Sequence, residues 1–160
     1  MDDTLPTETA LQKTSIDYEY ALELGKLLDD HRGLSVVIMD MRTLNFWTDF
    51  FIIATVTSDT HLFGLERHIK EFVRENGLEI FHRSGNQRRE AKQYPQEQRS
   101  EEWHLLDLGG IIIHLMTERT RNFFELERLW SAAPIIYGTQ SSLNLGSRDS
   151  DSPFHSSKSS

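Results

Sequence analysis

The sequence predicts one α/β domain in which helices flank a mixed β-sheet. Three segments carry apolar residues at helical spacing, and the short segments between them are rich in β-branched and aromatic residues. A glycine pair, Gly109-Gly110, separates two strand candidates, as in a tight antiparallel hairpin. The order helix, two strands, helix, strand, polar segment, hairpin and helix requires both parallel and antiparallel neighbours, so a mixed sheet is expected.

The predicted helices each follow a capping residue, because a Ser, Thr or Asp side chain accepts a hydrogen bond from the free N–H groups of a first turn. These caps are Thr14/Ser15, Ser58/Asp59 and Thr117. Glycines end the first two helices, at Gly33 and Gly77. The apolar stripes are Tyr20, Ala21, Leu24, Leu27 and Leu28; then Leu62, Leu65, Ile69 and Phe72; then Phe123, Leu126, Trp130 and Ala133.

The predicted strands are short and apolar. Segments 34–40 and 50–56 carry almost no polar residue and resemble strands that are covered on both faces. Segments 103–108 and 111–116 form the two arms of the glycine hairpin, and segment 78–82 is a weaker candidate. A folded region of about 14–137 is therefore expected.

Three polar segments are expected to lie outside the packed core, because they contain too few apolar residues to offset the entropy of ordering. They are residues 1–13, the serine-rich tail 138–160 and an insert at 83–100. The insert is interpreted as a solvated loop. A second interpretation, an RNA-contacting arm, rests on its basic residues Arg83, Arg88, Arg89 and Lys92.

Charge and composition exclude several classes of function. The chain has 17 basic and 25 acidic residues, a net charge of −8, and no basic stripe, which disfavours direct sequence-specific binding to nucleic acid. It has no cysteine, so disulfides and thiol catalysis are excluded. No apolar run approaches the roughly 20 residues of a membrane helix, and the acidic N-terminal segment does not resemble a targeting signal. A cytoplasmic protein is expected.

The sequence lacks most of the known motifs for catalysis, cofactor binding and metal binding. Neither glycine-rich phosphate loop nor zinc-binding HExxH occurs, so no cofactor and no metal ion are predicted. Ser58 lacks the setting of a nucleophile and is interpreted as a helix cap. Asp40, Asp49 and Asp107 lie at or beside strand ends; they are interpreted as turn caps, with a magnesium site as the alternative. His114, inside an apolar strand, is interpreted as a hydrogen-bonded core or interface histidine.

The hairpin and the last helix suggest a binding surface. Trp103, Leu105 and Asp107 share one face of a strand, which is expected either to be partly exposed or to pack on the last helix. Along that helix, charged residues share a side with Phe124, opposite the stripe that contains Trp130. Two interpretations stay open: a core tryptophan with solvated charges, or a docking patch anchored by aromatic residues.

Four segments in order resemble the ribosomal silencing factor family, also called the Iojap family. They are Asp40, DFFIIATVTSDTH (49–61), WHLLDLGGIIIHLM (103–116) and RNFFELERLW (121–130). The resemblance covers about residues 16–133. It implies a small α/β domain shaped like a nucleotidyltransferase but without the active site, and a protein that is not an enzyme.

The resemblance also implies a function. Family members bind the large ribosomal subunit at its fourteenth protein, block joining of the small subunit and thereby lower translation under nutrient limitation. Many form homodimers. Two alternatives remain open from the residues: a nucleotidyltransferase-like enzyme that uses magnesium, and an oligomeric scaffold without a ribosomal role.

The family pattern falls on Asp40, Asp49, Phe50, Ser58, His61, Trp103, Asp107, Gly109, His114, Arg121, Leu126, Glu127, Leu129 and Trp130. The residues expected to bind the partner are Trp103, Asp107, His114, Arg121, Phe124, Glu127 and Trp130. The chain departs from the pattern at Val56, where glycine is usual, at Gly110, where an acid is common, and at Phe124, where tyrosine is common. Its 83–100 segment is also longer than usual.

Overall fold

The computed structural model describes residues 7–44, 47–81 and 102–138. The helices are α1 (Glu8–Asp30), α2 (Asp59–Glu75), α3 (Glu118–Phe124) and α4 (Leu126–Leu129), with a 3₁₀ turn at Arg42–Leu44. The strands are β1 (Leu34–Asp40), β2 (Phe50–Val56), β3 (Trp103–Asp107), β4 (Ile111–Thr117) and β5 (Ile135–Gly138). Within the described ranges they form one sheet in the order β3-β4-β2-β1-β5.

The sheet is mixed, as the sequence predicts. β2 and β4 are parallel, with Phe50 beside Ile111 and Val56 beside Thr117. The other three pairs are antiparallel: β1 with β2, β1 with β5, and β3 with β4. β2 is the central strand and all seven of its residues are buried, which explains its mostly apolar sequence.

The two faces of the sheet bury separate cores. On one face, which we call the long-helix face, α1 and α2 cover alternate strand residues such as Ile38, Ile52 and Ile113. The opposite face, here the short-helix face, carries the intervening residues, among them Met39 and Phe51. In the described part of the structure, α3, α4, the chain that follows them and Leu44 of the 3₁₀ turn pack on it.

Several helix and strand predictions require correction. α1 begins at Glu8, so residues 8–13 are helical rather than unstructured; they are good helix formers. The Thr14 hydroxyl donates to the Ala10 carbonyl at 3.0 Å inside the helix instead of capping it. Of the predicted strand 78–82, the described residues 78–81 make a single bridge, between Phe81 and Asp107, rather than a strand. β5 (Ile135–Gly138) was not predicted; it begins two residues after Ala133, the last residue of the predicted helical stripe.

The predicted last helix is divided. Glu125 adopts a left-handed conformation, with φ of 46° and ψ of 54°, which ends α3 and starts α4. The residues of the 83–100 insert, residues 1–6 and residues 139–160 lie outside the described ranges, whereas Gly138, assigned to the tail, ends β5.

The hairpin between β3 and β4 depends on both glycines. Gly109 has a φ of 87°, a left-handed conformation that favours glycine, and its N–H donates to the Asp107 carboxylate at 2.8 Å. Gly110 faces α1: a Cβ added there would lie 2.1 Å from Oδ2 of Asp17. An acidic side chain, which is common in the family at the position of Gly110, would therefore overlap the Asp17 carboxylate of α1.

Gly110→Ala is expected to lower the free energy of unfolding by about 1–3 kcal/mol, because the new methyl group overlaps the Asp17 carboxylate. In an Asp17→Ala background the cost is expected to fall, since the overlapping atoms are gone. Urea unfolding of the four chains measures this coupling. Gly64→Ala, where the new Cβ meets nothing within 4 Å, is the control and is expected to stabilise by about 0.5–1 kcal/mol. Equal costs of Gly110→Ala in both backgrounds would contradict the contact.

Candidate partner-binding surface

Three aromatic side chains form a continuous row on the short-helix face, and we call them the aromatic patch: Trp103 of β3 with Phe124 and Phe123 of α3. The ring centroids of Trp103 and Phe124 are 4.8 Å apart, and those of Phe124 and Phe123 are 5.0 Å apart. Phe124 is 48% exposed and Phe123 is 79% exposed. Aromatic rings with this exposure are the residues that most often anchor protein partners.

The patch has an apolar margin. Leu105 lies two residues from Trp103 on the same face of β3, and Leu129 lies on α4; both are exposed. Trp130 instead is half-buried and packs on the core of the short-helix face, with its ring 6.4 Å from that of Phe51. Trp130 therefore belongs mainly to the core of the short-helix face and adds little to the exposed aromatic surface.

His114 lies directly beneath Trp103. The indole Nε1 donates to Nδ1 of His114 at 3.1 Å, and the imidazole also contacts the Phe51 ring edge-to-face. Because Nδ1 accepts this bond, the ring proton of the neutral form is on Nε2. His114 is 4% exposed, and burial lowers its pKa from 6.5 to about 4. The interpretation of His114 as a hydrogen-bonded core histidine is confirmed.

Arg121 and Glu127 form an ion pair within the segment that carries the patch. Arg121 is 7% exposed, and its Nε and Nη2 both donate to Oε1 of Glu127. Its Nη1 donates to the Thr55 hydroxyl at 2.9 Å. The guanidinium is therefore engaged below the surface, with Glu127 partly exposed beside it.

The structure corrects the accessibility expected of three partner-binding residues. Asp107, His114 and Arg121 are buried, whereas direct contact with a partner requires an accessible side chain. Asp107 caps the hairpin turn through the Gly109 N–H, which confirms the turn-cap interpretation of this aspartate. These three residues can act on a partner only through the side chains they hold.

Exposed charges surround the patch. Glu102 and Arg119 approach to 4.0 Å, and Glu125 and Arg128 to 3.5 Å, all four in solvent-exposed positions. Leaving out the buried Asp107 and Arg121, residues 102–130 contain four acidic and two basic side chains, so this part of the surface keeps the acidic sign of the whole chain. Such a border affects the rate and orientation of encounter with a basic partner more than affinity.

The alternative magnesium site is not assembled. Asp40 lies on the long-helix face, where its carboxylate accepts from Nε and Nη2 of Arg42 at 2.9 and 2.7 Å, and these bonds lower its pKa. Asp107 pairs with Ile112 on the opposite face. Within ranges 7–44, 47–81 and 102–138, no three His, Asp or Glu side chains are grouped as a metal ion requires.

Ser58 accepts from the His61 N–H at 3.1 Å, which confirms it as the cap of α2.

Comparison with known proteins identifies the family. The family model described as ribosomal silencing factor during starvation matches residues 13–160. The chain belongs to this family. A ribosomal silencing factor from Bacillus subtilis is 30% identical over 107 residues, which cover 67% of this chain and 80% of that protein. One from Treponema pallidum is 33% identical over 110 residues, covering 69% and 88%.

A solved structure supports the same assignment. A crystal structure of a protein from Bacillus halodurans aligns with a TM-score of 0.54 and 25% identity, covering 74% of this chain and 98% of that one. Family membership confirms the resemblance found in the sequence. The relatives are named as silencing factors and not as enzymes. Among the helices that the structure describes, none has the length and apolar content to cross a membrane.

Phe123 and Leu129 are surface residues that the sequence interpretation missed. Helical periodicity predicts Phe123 in the buried stripe of one continuous helix. Because the helix breaks at Glu125, Phe123 does not share a face with the buried Leu126 and is exposed. No glycine or proline marks this break, so helical periodicity alone gave the wrong face. The neighbouring Asn122-Phe123-Phe124 run contains the only local signal, which is two adjacent rings that one narrow stripe cannot bury together.

Acid is expected to destabilise the fold through His114. The unfolded imidazole takes up a proton as the pH falls below 6.5, whereas the folded one does so only near 4. The contribution of His114 to the free energy of unfolding is therefore fully present above pH 6.5. About 3 kcal/mol of it is lost as the pH falls from 6.5 to 4. Urea unfolding across this range measures the loss. His114→Asn, whose amide oxygen can still accept from Trp103, is expected to flatten the profile, while the half-buried His68→Asn is the control. An unchanged profile in His114→Asn would contradict this account.

Proposed function

We propose that this chain is a translational repressor that binds the large ribosomal subunit at its fourteenth protein and sterically blocks joining of the small subunit. Repression in this way lowers translation under nutrient limitation. The proposal is supported by family membership and by the names of its relatives, which are ribosomal silencing factors. It requires only occupancy of the interface between subunits and no chemical step.

The observation that carries the proposal is the aromatic patch. Phe123 and Phe124 of α3 are exposed, Phe124 contacts both Phe123 and Trp103 of the sheet, and charged side chains lie beside them. Rigid aromatic anchors lose little conformational entropy on binding and displace water over a large area. A docking surface of this kind suits a folded protein better than an extended RNA, because the border is mixed in charge rather than basic.

Charge supports a basic partner. The net charge of −8 and the acidic excess near the patch attract a positively charged protein and speed its encounter. Attraction of this kind weakens as salt is added, whereas burial of the aromatic rings does not. Added salt is therefore expected to lower the association rate constant, while the lifetime of the complex stays mostly unchanged.

We also propose that the chain forms a homodimer, as the resemblance implies. Sedimentation equilibrium of the chain alone measures this state. A monomer at micromolar concentration would contradict the dimer and would leave the repressor proposal unchanged, because a single bound copy suffices for occlusion.

Phe124→Ala is expected to weaken binding to purified large subunits by about tenfold or more, because it removes the central ring of the patch. Phe63→Ala is the matched control: Phe63 is 50% exposed, close to the 48% of Phe124, but lies on α2 at the long-helix face. Co-sedimentation of each variant with large subunits gives the affinity, and light scattering gives the inhibition of subunit joining.

The expected pattern is loss of both binding and inhibition in Phe124→Ala, with both retained in Phe63→Ala. Full binding by a folded Phe124→Ala chain would contradict the patch as the docking site. Absence of co-sedimentation by the unaltered chain at low salt would overturn the repressor proposal itself.

A further inference from the structure

Arg121 connects four parts of the chain through one buried guanidinium. It belongs to α3, and its Nε and Nη2 bind Glu127 of α4. Its Nη1 reaches the Thr55 hydroxyl of β2 at 2.9 Å and the Leu34 carbonyl of β1 at 3.5 Å. A planar guanidinium holds its donors in a fixed fork, so these bonds set the angle of α3 and α4 relative to the sheet.

The break between α3 and α4 needs such a restraint. Glu125 has the left-handed conformation that residues with a side chain seldom adopt, and contacts around it must maintain that conformation. The Glu125 N–H donates to the Arg121 carbonyl at 2.9 Å, so Arg121 closes α3 with its backbone. Its side chain then crosses the break to Glu127, six residues along the chain.

The geometry at the break separates the surface from the core. Phe124, just before Glu125, turns outward against Trp103, whereas Leu126, just after it, is buried in the core of the short-helix face. The orientation of the patch therefore depends on the dihedral angles at Glu125. An ideal helix through these residues would place Phe123 and Leu126 on one side.

We propose that Arg121, with Glu127 as its counter-ion, is the positioning residue of the aromatic patch. It does not contact the partner; it holds the break at Glu125 and so fixes Phe123 and Phe124 in the orientation that binds. This inference rests on the proposed function for its binding readout, and it also has a readout that needs no partner.

The test separates positioning from stability. Arg121→Met leaves the Glu127 carboxylate and the Thr55 hydroxyl without their partner, and is expected to lower both the melting temperature and the affinity for large subunits. Arg121→Met with Glu127→Met removes the uncompensated carboxylate, and such apolar replacements of an ion pair often restore stability. The double variant is expected to regain most of the melting temperature yet bind about tenfold more weakly than the unaltered chain.

The matched control is Arg128→Met, which removes an arginine of α4 that is 82% exposed. Its binding is expected to stay within about twofold, because exposed ion pairs contribute little. Tight binding by the double variant would overturn the proposal and reduce Arg121 to a stabilising role. Equal loss in Arg128→Met would overturn it too, because an exposed arginine that holds no part of the patch in place would then matter as much as Arg121.

Amide hydrogen exchange of residues 118–129 is the readout without a partner. Faster exchange there in the double variant, with unchanged exchange in β2 and β4, supports positioning; unchanged exchange throughout overturns it. If the unaltered chain does not bind large subunits, the repressor proposal fails while this comparison still decides the role of Arg121.

Thr55→Val replaces the two Met variants if they do not fold. It removes one acceptor of Arg121 at a buried site that no partner can touch. A loss of affinity of about threefold or more supports positioning, and unchanged affinity together with unchanged exchange in residues 118–129 overturns it.

Discussion

A β-sheet whose strands are apolar on both faces must cover both faces, and this chain covers them unequally. Helices of 23 and 17 residues lie on one face, whereas helices of 7 and 4 residues lie on the other. The short-helix face is nevertheless built from residues such as Met39, Phe51 and Ile53 that are almost fully buried. Large aromatic side chains complete the cover, and the outermost of them remain in contact with water.

This constraint links packing to function. The rings that cover the short-helix face are also the rings that a partner can bury, so the binding surface is an outward continuation of the core. Because the rings already pack against one another and against the core, little order has to be created on binding. The buried polar groups beneath them, His114 under Trp103 and Arg121 across the break, hold the rings in specific orientations instead of leaving a featureless apolar surface.

Much of the fold follows from sequence patterns, for identifiable reasons. β1 and β2 are mostly apolar, Gly109-Gly110 marks the hairpin, and Ser58 marks the start of α2; each of these signals acts locally. The early start of α1 and the short β5 were missed because neither has a distinctive boundary in sequence. β5 exists because its backbone pairs with β1, which is a contact between distant residues.

The surface was harder to predict than the fold. Trp103 is partly buried and packs on Phe124, in line with the two alternatives left open for its strand face, but Arg121 was expected to bind the partner and is buried. Its burial accompanies the left-handed conformation of Glu125, which no glycine marks in the sequence, and an ion pair with Glu127 on the other side of that break. Periodicity assumes a continuous helix, so a break of one residue reverses which side chains face out.

The most direct test of the account is a photo-crosslinking experiment on purified large ribosomal subunits. A benzophenone amino acid at position 123, the most exposed ring of the patch, is compared with the same group at position 63 on the long-helix face. The benzophenone at position 123 is expected to crosslink to one ribosomal protein, the fourteenth of the large subunit. The benzophenone at position 63 is expected to give no crosslink to that protein. Crosslinking from position 63 with none from position 123 would show that the opposite face docks and would contradict the account.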